Sequence, residues 1–402
     1  MSSIPGWFEG LPTGSQVLSS LGINDGDLAA QPTQVLNIPP YANWTDQGWN
    51  VRFHGNVYKF PNISQSKVDD LANVFLIDTS VDKLNNSVEQ DQARNLTRSI
   101  FIVQQSNVNV SMSLEPAPSQ GGDGEPGGGN SIQAPGGVQN LTLPYETTDQ
   151  GDFDVFVPIQ SNGLIPRQPD QQCSATERLH QRRVSSTLLP APFTPWMNMP
   201  DIYANWSRSL PNNTSFHYLT TTPEQATRLY MDFIYKTYPG GSFDTRPLNF
   251  SDVKATLSIR MYLLTKIFET FPQRKFVLVA DTSNSDVMKD YPQLAHTYPN
   301  QVQCIFLRNT SATDSGMWFP YNTEGFKGLN NRSYMFFRVP DDLTGLDIAN
   351  GQCLNETIPQ NVTFSRQAEI LGIHGSSAGT QLKSGATISF VVALIAAVGL
   401  LL

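Results

Sequence analysis

The most restrictive stretch of this 402-residue chain is KFVLVA at 275–280, followed at once by Asp281. Five consecutive apolar residues leave no strand face for water, so the run belongs inside a parallel sheet covered on both sides. The flanking grammar agrees. FHYL at 216–219 reads as a short strand, and Thr222, Pro223 and Gln225 then open a helix whose apolar face carries Ala226, Leu229, Tyr230, Phe233 and Ile234. A second helix follows Ser251, packs through Leu257, Leu264, Ile267, Phe268 and Phe271, and stops at Pro272. After the buried strand come a helix over about 286–295 and another buried strand at 302–307. The order β-α-α-β-α-β predicts a doubly wound α/β domain over residues 191–345.

The first half is written differently. Residues 39–160 alternate with period two, as in VRFH at 51–54 and VNVSM at 108–112, which predicts a β-sandwich behind an N-terminal segment at 1–38. The glycine-rich stretch 120–137 carries too little apolar surface to fold and reads as a flexible loop. No strand precedes it and no Lys-Ser/Thr helix follows, so it is not a phosphate-binding loop.

Fourteen N-x-S/T sequons, from Asn43 to Asn361, exceed what chance provides and predict N-glycans and passage through the secretory pathway. The tail ISFVVALIAAVGLLL at 388–402 is short for a bilayer span. With the polar spacer before it and the small residues Gly375, Ser376 and Ser377, it reads as a signal for a lipid (glycosylphosphatidylinositol) anchor over 375–402, placing the protein at the membrane of the cell surface. Residues 346–374 read as a glycosylated stalk. The opening residues have neither a basic nor an apolar signal region, so the expectation is that the true start lies upstream. Three cysteines permit one bridge; Cys304, inside a buried strand, reads as a core thiol, with pairing to Cys353 left open. A net charge of −9 excludes a basic face for nucleic acid, and Arg178, Arg182 and Arg183 read as a hydrated loop.

Ligands of open α/β sheets bind beyond the carboxyl ends of the strands. Two clusters fall there. Thr220, at a strand end before a helix N-terminus, can hold a phosphate oxygen, although a capping threonine has the same appearance. Asp281 and Asp286 span a strand-to-helix turn that can aim two carboxylates at one Mg²⁺.

FHYLTTTPEQ, FPQRKFVLVADTSNSDVMKDYPQL and YPNQVQCIFLR, with PFTPWMNMPDIYANW before them, resemble the actin-patch-protein type of phosphatidate phosphatase, a branch of the haloacid-dehalogenase superfamily. The resemblance covers residues 192–308 well and the first half, including GWNVRFHGNVYKFP, more loosely. It implies a Mg²⁺-dependent phosphatase that converts phosphatidate, or another phosphate-ester lipid, to its alcohol. By that resemblance Thr220 holds the phosphate, Asp281 and Asp286 hold Mg²⁺, and a cation on the helix before Phe271 neutralises the transferring group. The family has a lysine there; this chain offers Arg260, with Lys254 and Lys266 nearby.

One part of the pattern is missing. The superfamily attacks phosphorus with an aspartate ending an apolar strand and protonates the leaving oxygen with a second aspartate two residues on. Residues 161–190 have neither, and read as an anomalous segment in place of that strand, whether through a damaged gene sequence or in a true pseudophosphatase acting as a surface or cell-wall binding protein. The nearest formal match, Asp152-Phe153-Asp154-Val155, reads instead as the last strand of the first domain. Export would put a cytoplasmic lipid pool out of reach and favour an outer-leaflet or extracellular phosphate ester.

Overall fold

The computed structural model describes residues 23, 25–45, 48–75, 79–114, 139–148, 151–159, 172–177, 195–211, 214–246, 253–282, 285–310 and 323–360. The glycine-rich loop, the Arg178–Arg183 cluster, the chain start and the apolar tail lie outside them.

The protein is a mixed α/β structure with several sheets. Its first half holds α1 (Asp25–Ala29), β1 (Thr33–Ile38), β2 (Ala42–Thr45), β3 (Gly48–Lys59), α2 (Gln65–Phe75), α3 (Ser87–Ile100), β4 (Val103–Gln104), β5 (Asn109–Leu114), β6 (Gln139–Glu146) and β7 (Asp152–Ile159). The long β3 pairs antiparallel with β1, β2, β4 and β7, while β5 and β6 form a separate two-stranded sheet. Strands alone were expected over 39–160, yet two helices interrupt them. Polar sequence hid the second: Asn86 Oδ1 accepts from the backbone of Glu89 at 2.9 Å and starts a turn in a segment with few apolar residues. As the sequence suggested, β7 is the last strand of this half.

The second half holds β8 (Gln172–Glu177), α4 (Met199–Ser209), β9 (Ser215–Pro223), α5 (Glu224–Thr237), β10 (Gly241–Arg246), α6 (Val253–Thr270), β11 (Lys275–Asp281), α7 (Ser285–Thr297), β12 (Val302–Arg308) and β13 (Tyr334–Phe337). Six of these strands form one all-parallel sheet in the order β10-β9-β8-β11-β12-β13. Both faces are covered. Val279, Cys304, Phe306 and Met335 pack with α4 residues Ile202, Tyr203 and Trp206 on one side. Phe276, Leu278, Ala280, Ile305 and Leu307 pack with α6 and α7 residues Leu264, Ile267, Phe268, Met288 and Tyr291 on the other. Strict alternation of β11 between two cores is why its sequence is apolar throughout.

Four local expectations change. The strand expected to stop at Leu219 runs on to Pro223, which pairs with Arg246, because three β-branched threonines prefer extended backbone; the helix then starts at Glu224. The anomalous segment at 161–190 contains a strand after all, β8, set at the centre of the sheet between β9 and β11. Its sequence QCSATE has no apolar run and gave no strand signal. Cys304 is not a free core thiol but is joined to Cys353 by a disulfide. Finally, residues 346–360 are not a stalk: Ile348 and Cys353 are buried in the α4-side core, and the Gln360 amide bonds the backbone of Phe336 as both donor and acceptor.

Candidate functional site at the carboxyl end of the parallel sheet

Strand register sets the site. Glu177, the last residue of β8, is level with Leu219 of β9, and Thr176 is level with Val279 of β11. Thr220 and Asp281 therefore stand one row beyond the end of the central strand, on the strands to either side of it. Asp281 in turn pairs in register with Arg308 of β12. Polar side chains that would be costly elsewhere in the core collect along this edge: Thr220, Asp281, Thr282, Arg308 and Thr310 are all buried. Thr282 and Thr310 satisfy one another, with hydroxyl oxygens 3.0 Å apart and the Thr310 amide donating to Thr282 Oγ1 at 3.1 Å.

Arg260, on the second turn of α6, is only 2% exposed. Burial pulls its pKa down from the ordinary arginine value, and the charges of Tyr291, Asp286, Asp290 and Asp281 hold it up. Arg260 thus feels the charges of Asp281 and Asp286, two of the other three expected residues, while Thr220 stands at the matching strand end. Lys266, an alternative cation, is committed elsewhere: its Nζ lies 2.9 Å from Asp154 Oδ2. The Lys254 side chain lies outside the described residues.

Asp290 belongs to this group and was missed in the sequence. It follows Asp286 by one helical turn on α7, is 5% exposed, and has a carboxyl pushed up to about 6 by burial and by the neighbouring Asp286 charge. The i,i+4 spacing was the available signal. Asp286 lies in the first turn of α7, where a carboxylate also complements the helix dipole.

A hard cation such as Mg²⁺ needs one or two carboxylates and fills its other positions with water and substrate oxygens, so Asp281 and Asp286 fit it chemically. Among the described residues no three His, Cys, Asp or Glu side chains converge to cage a metal.

Asp152 and Asp154 take no part. Asp152 pairs with Asn56 in the antiparallel sheet and accepts from the Thr148 hydroxyl, and Asp154 receives a bidentate Arg52 at 2.7 and 2.9 Å.

Residues 171–309 match the family described as phosphatidate phosphatase APP1, catalytic domain. The segment belongs to that family. The match opens at the central strand β8 and closes just past Arg308, so it frames the strand-end site from its first element to its last. Phosphatidate phosphatase APP1 of Saccharomyces cerevisiae is 28% identical over 109 residues, which are 26% of this chain and 18% of that protein. The match therefore covers less than a fifth of the curated relative's length. No solved structure matches.

Proposed function

We propose that the parallel-sheet domain binds a phosphate-monoester lipid, phosphatidate by class, at the carboxyl end of its strands and hydrolyses the phosphate with Mg²⁺. The observation that carries this reading is the pair of buried polar residues at neighbouring strand ends, Thr220 and Asp281, with Asp286 in the first turn of the helix that follows and buried Arg260 on α6, within a segment that matches a phosphatidate phosphatase catalytic-domain family. The Thr220 hydroxyl donates to a phosphate oxygen, and Arg260 offsets its charge, bidentately where the planar fork allows. Asp281 and Asp286 hold Mg²⁺, which when bound supplies positive charge to the phosphoryl oxygens. The strand order, with β8 central and the chain reversing direction across the sheet beside it, supports a doubly wound domain of the haloacid-dehalogenase kind.

Turnover is expected to be slow. Gln172–Glu177 stands where that superfamily carries its nucleophile strand and contains no aspartate. The same observation favours a second reading, a pseudophosphatase that binds the lipid without cleaving it.

Export to the cell surface is part of the proposal. Asn62, Asn85, Asn95, Asn109 and Asn331 of the sequons are exposed, and Cys304 and Cys353 form a buried disulfide of the sort that persists in oxidising compartments. N-glycans and the lipid anchor follow from the sequence, and the substrate is then an outer-leaflet or extracellular phosphate ester.

The test is to incubate the purified chain with phosphatidate vesicles and with phosphatidylcholine vesicles and to follow both co-sedimentation and release of inorganic phosphate, with Mg²⁺ and with chelator. Mg²⁺-dependent release from phosphatidate supports the enzyme. Selective sedimentation without release supports the binder, and neither effect overturns both.

A further inference from the structure

A groove of about 320 Å³ runs between α4 and the segment that follows β13; its walls come from residues between 202 and 210 and from 343–349. The floor is apolar and buried. Trp206 and Ile348 are 4% and 2% exposed, and the indole is fixed by stacking on Phe306 of β12, with ring centroids 5.9 Å apart. The rim is polar, formed by the exposed residues Asn205, Ser209, Thr344 and Asp347. Gly345, on the far wall, has a φ of +77° and nothing within 4 Å of where a side chain would start, so the wall stays open there.

An apolar floor under a ring of hydrogen-bonding groups matches a sugar, which has a C–H face and a hydroxyl edge, better than it matches an acyl chain. The volume lies at the small end of the about 300–1,000 Å³ that ligand pockets span, room for one sugar ring rather than a peptide. Asn205 supplies the source of that sugar, because it lies on the rim and opens the sequon Asn205-Trp206-Ser207. A sugar tethered by one side chain is held at an effective concentration of about millimolar or more, so weak intrinsic affinity is enough to fill the groove. Ser209, one helical turn beyond Asn205, and Thr344 and Asp347 across the groove supply hydrogen-bonding groups along its edges.

We propose that this groove seats the first N-acetylglucosamine of an N-glycan on Asn205. The modification is a group transfer from a lipid-diphosphate-linked oligosaccharide. The sugar's C1–O bond breaks as its C1–N bond to Asn205 Nδ2 forms, the lipid diphosphate leaves, and the Nδ2 proton passes to a base of the transferase. Its occurrence in the natural chain rests on the export reading given above; the fit of the sugar to the groove does not.

In the experiment, the full chain is sent through a eukaryotic secretory pathway behind a cleavable leader, so that the groove is tested whether or not the natural chain is exported. Glycopeptide mass spectrometry reads occupancy, and peptide N-glycosidase, which cuts the bond between asparagine and sugar, is applied to the folded protein. The expected result is a glycan at Asn205 released about tenfold more slowly than those on exposed Asn62 and Asn85, the ratio that about 1.4 kcal/mol of docking provides. Ala349→Trp, which fills the groove from an exposed position, should bring the rate at Asn205 up to theirs. A second readout does not depend on that variant. Ser207→Ala, which destroys the sequon from outside the groove, and Asn205→Gln both remove the sugar and should lower Tm by the same amount. An unmodified Asn205 beside occupied Asn62 and Asn85, or release from all three at one rate, overturns the proposal, and so does a Tm unchanged by Ser207→Ala. Absence of any glycan from the chain isolated from its own cells defeats the export reading alone, and the groove is still decided by the other measurements.

Discussion

Arg52, at the middle of the antiparallel sheet, donates through Nη1 to Asp244 Oδ1 at 2.5 Å, and Asp244 belongs to the edge strand of the parallel sheet. The same guanidinium forks onto Asp154, and Asp244 Oδ2 lies 3.3 Å from His217 Nε2, whose Nδ1 is 2.8 Å from the Ser242 hydroxyl. Burial opposes ionisation of Asp244, yet His217 and Arg52 hold its carboxyl well below the usual range. The two halves of the chain are thus joined by a buried ion pair, Arg52 with Asp244. Arg52→Met removes one partner and leaves a buried carboxylate, so it is expected to cost about 3–5 kcal/mol, read by urea unfolding. Adding Asp244→Leu to it should cost less than the sum of the two changes.

His54 sits beside this network, is 5% exposed, and has its pKa lowered to about 4, first by burial and then by Arg52, with Asp244 and Asp154 opposing and Lys266 assisting. A histidine with a depressed folded-state pKa contributes stability above its unfolded value of about 6.5, and the contribution is lost as pH falls from there to about 4. His54→Gln should therefore flatten the stability profile across that window, by up to about 3 kcal/mol at its acid end. An unchanged slope between pH 6.5 and 4 would show that His54 does not titrate as described.

The disulfide between Cys304 and Cys353 closes a separation of 49 residues and ties residues 346–360 to β12. Constraint of a loop of that size contributes about 2–4 kcal/mol. Cys353→Ser is expected to lower Tm, and reductant should lower the wild-type Tm toward the variant's while leaving the variant unaffected.

Arg260 and Lys266 lie on the same helix but have different tasks. Arg260→Met should lower kcat/KM about a hundredfold, as expected for loss of a preorganised charge in a water-poor site. Lys266→Met breaks a partly exposed pair with Asp154 and should leave turnover intact while costing less than about 1 kcal/mol of stability. Equal effects of the two changes on kcat/KM would contradict the assignment.

What could be read in the sequence follows from burial. β11, β12, α6 and α7 announced themselves because each meets a core, and their polar terminators Asp281, Asp286 and Arg260 came with them. β10 was invisible: GSFDTR has one core residue, Phe243, and its Asp244 is buried only because Arg52 and His217 arrive from distant parts of the chain. β8 gave no signal because a strand paired on both sides is held by its backbone ladders, whatever its side chains. Asp290 and Arg308 were in plain view but depend on tertiary neighbours for meaning, one on Arg260 and the other on Trp196.

The central claim, that the strand-end carboxylates serve a metal-dependent phosphatase, is tested most directly by single-turnover phosphate release from radiolabelled phosphatidate. Excess wild-type chain is compared with Asp281→Asn/Asp286→Asn in Mg²⁺ and in chelator. The account predicts slow release by the wild type that requires Mg²⁺ and is absent from the double variant. Release at the same rate by both proteins, or unaltered by chelator, would contradict it.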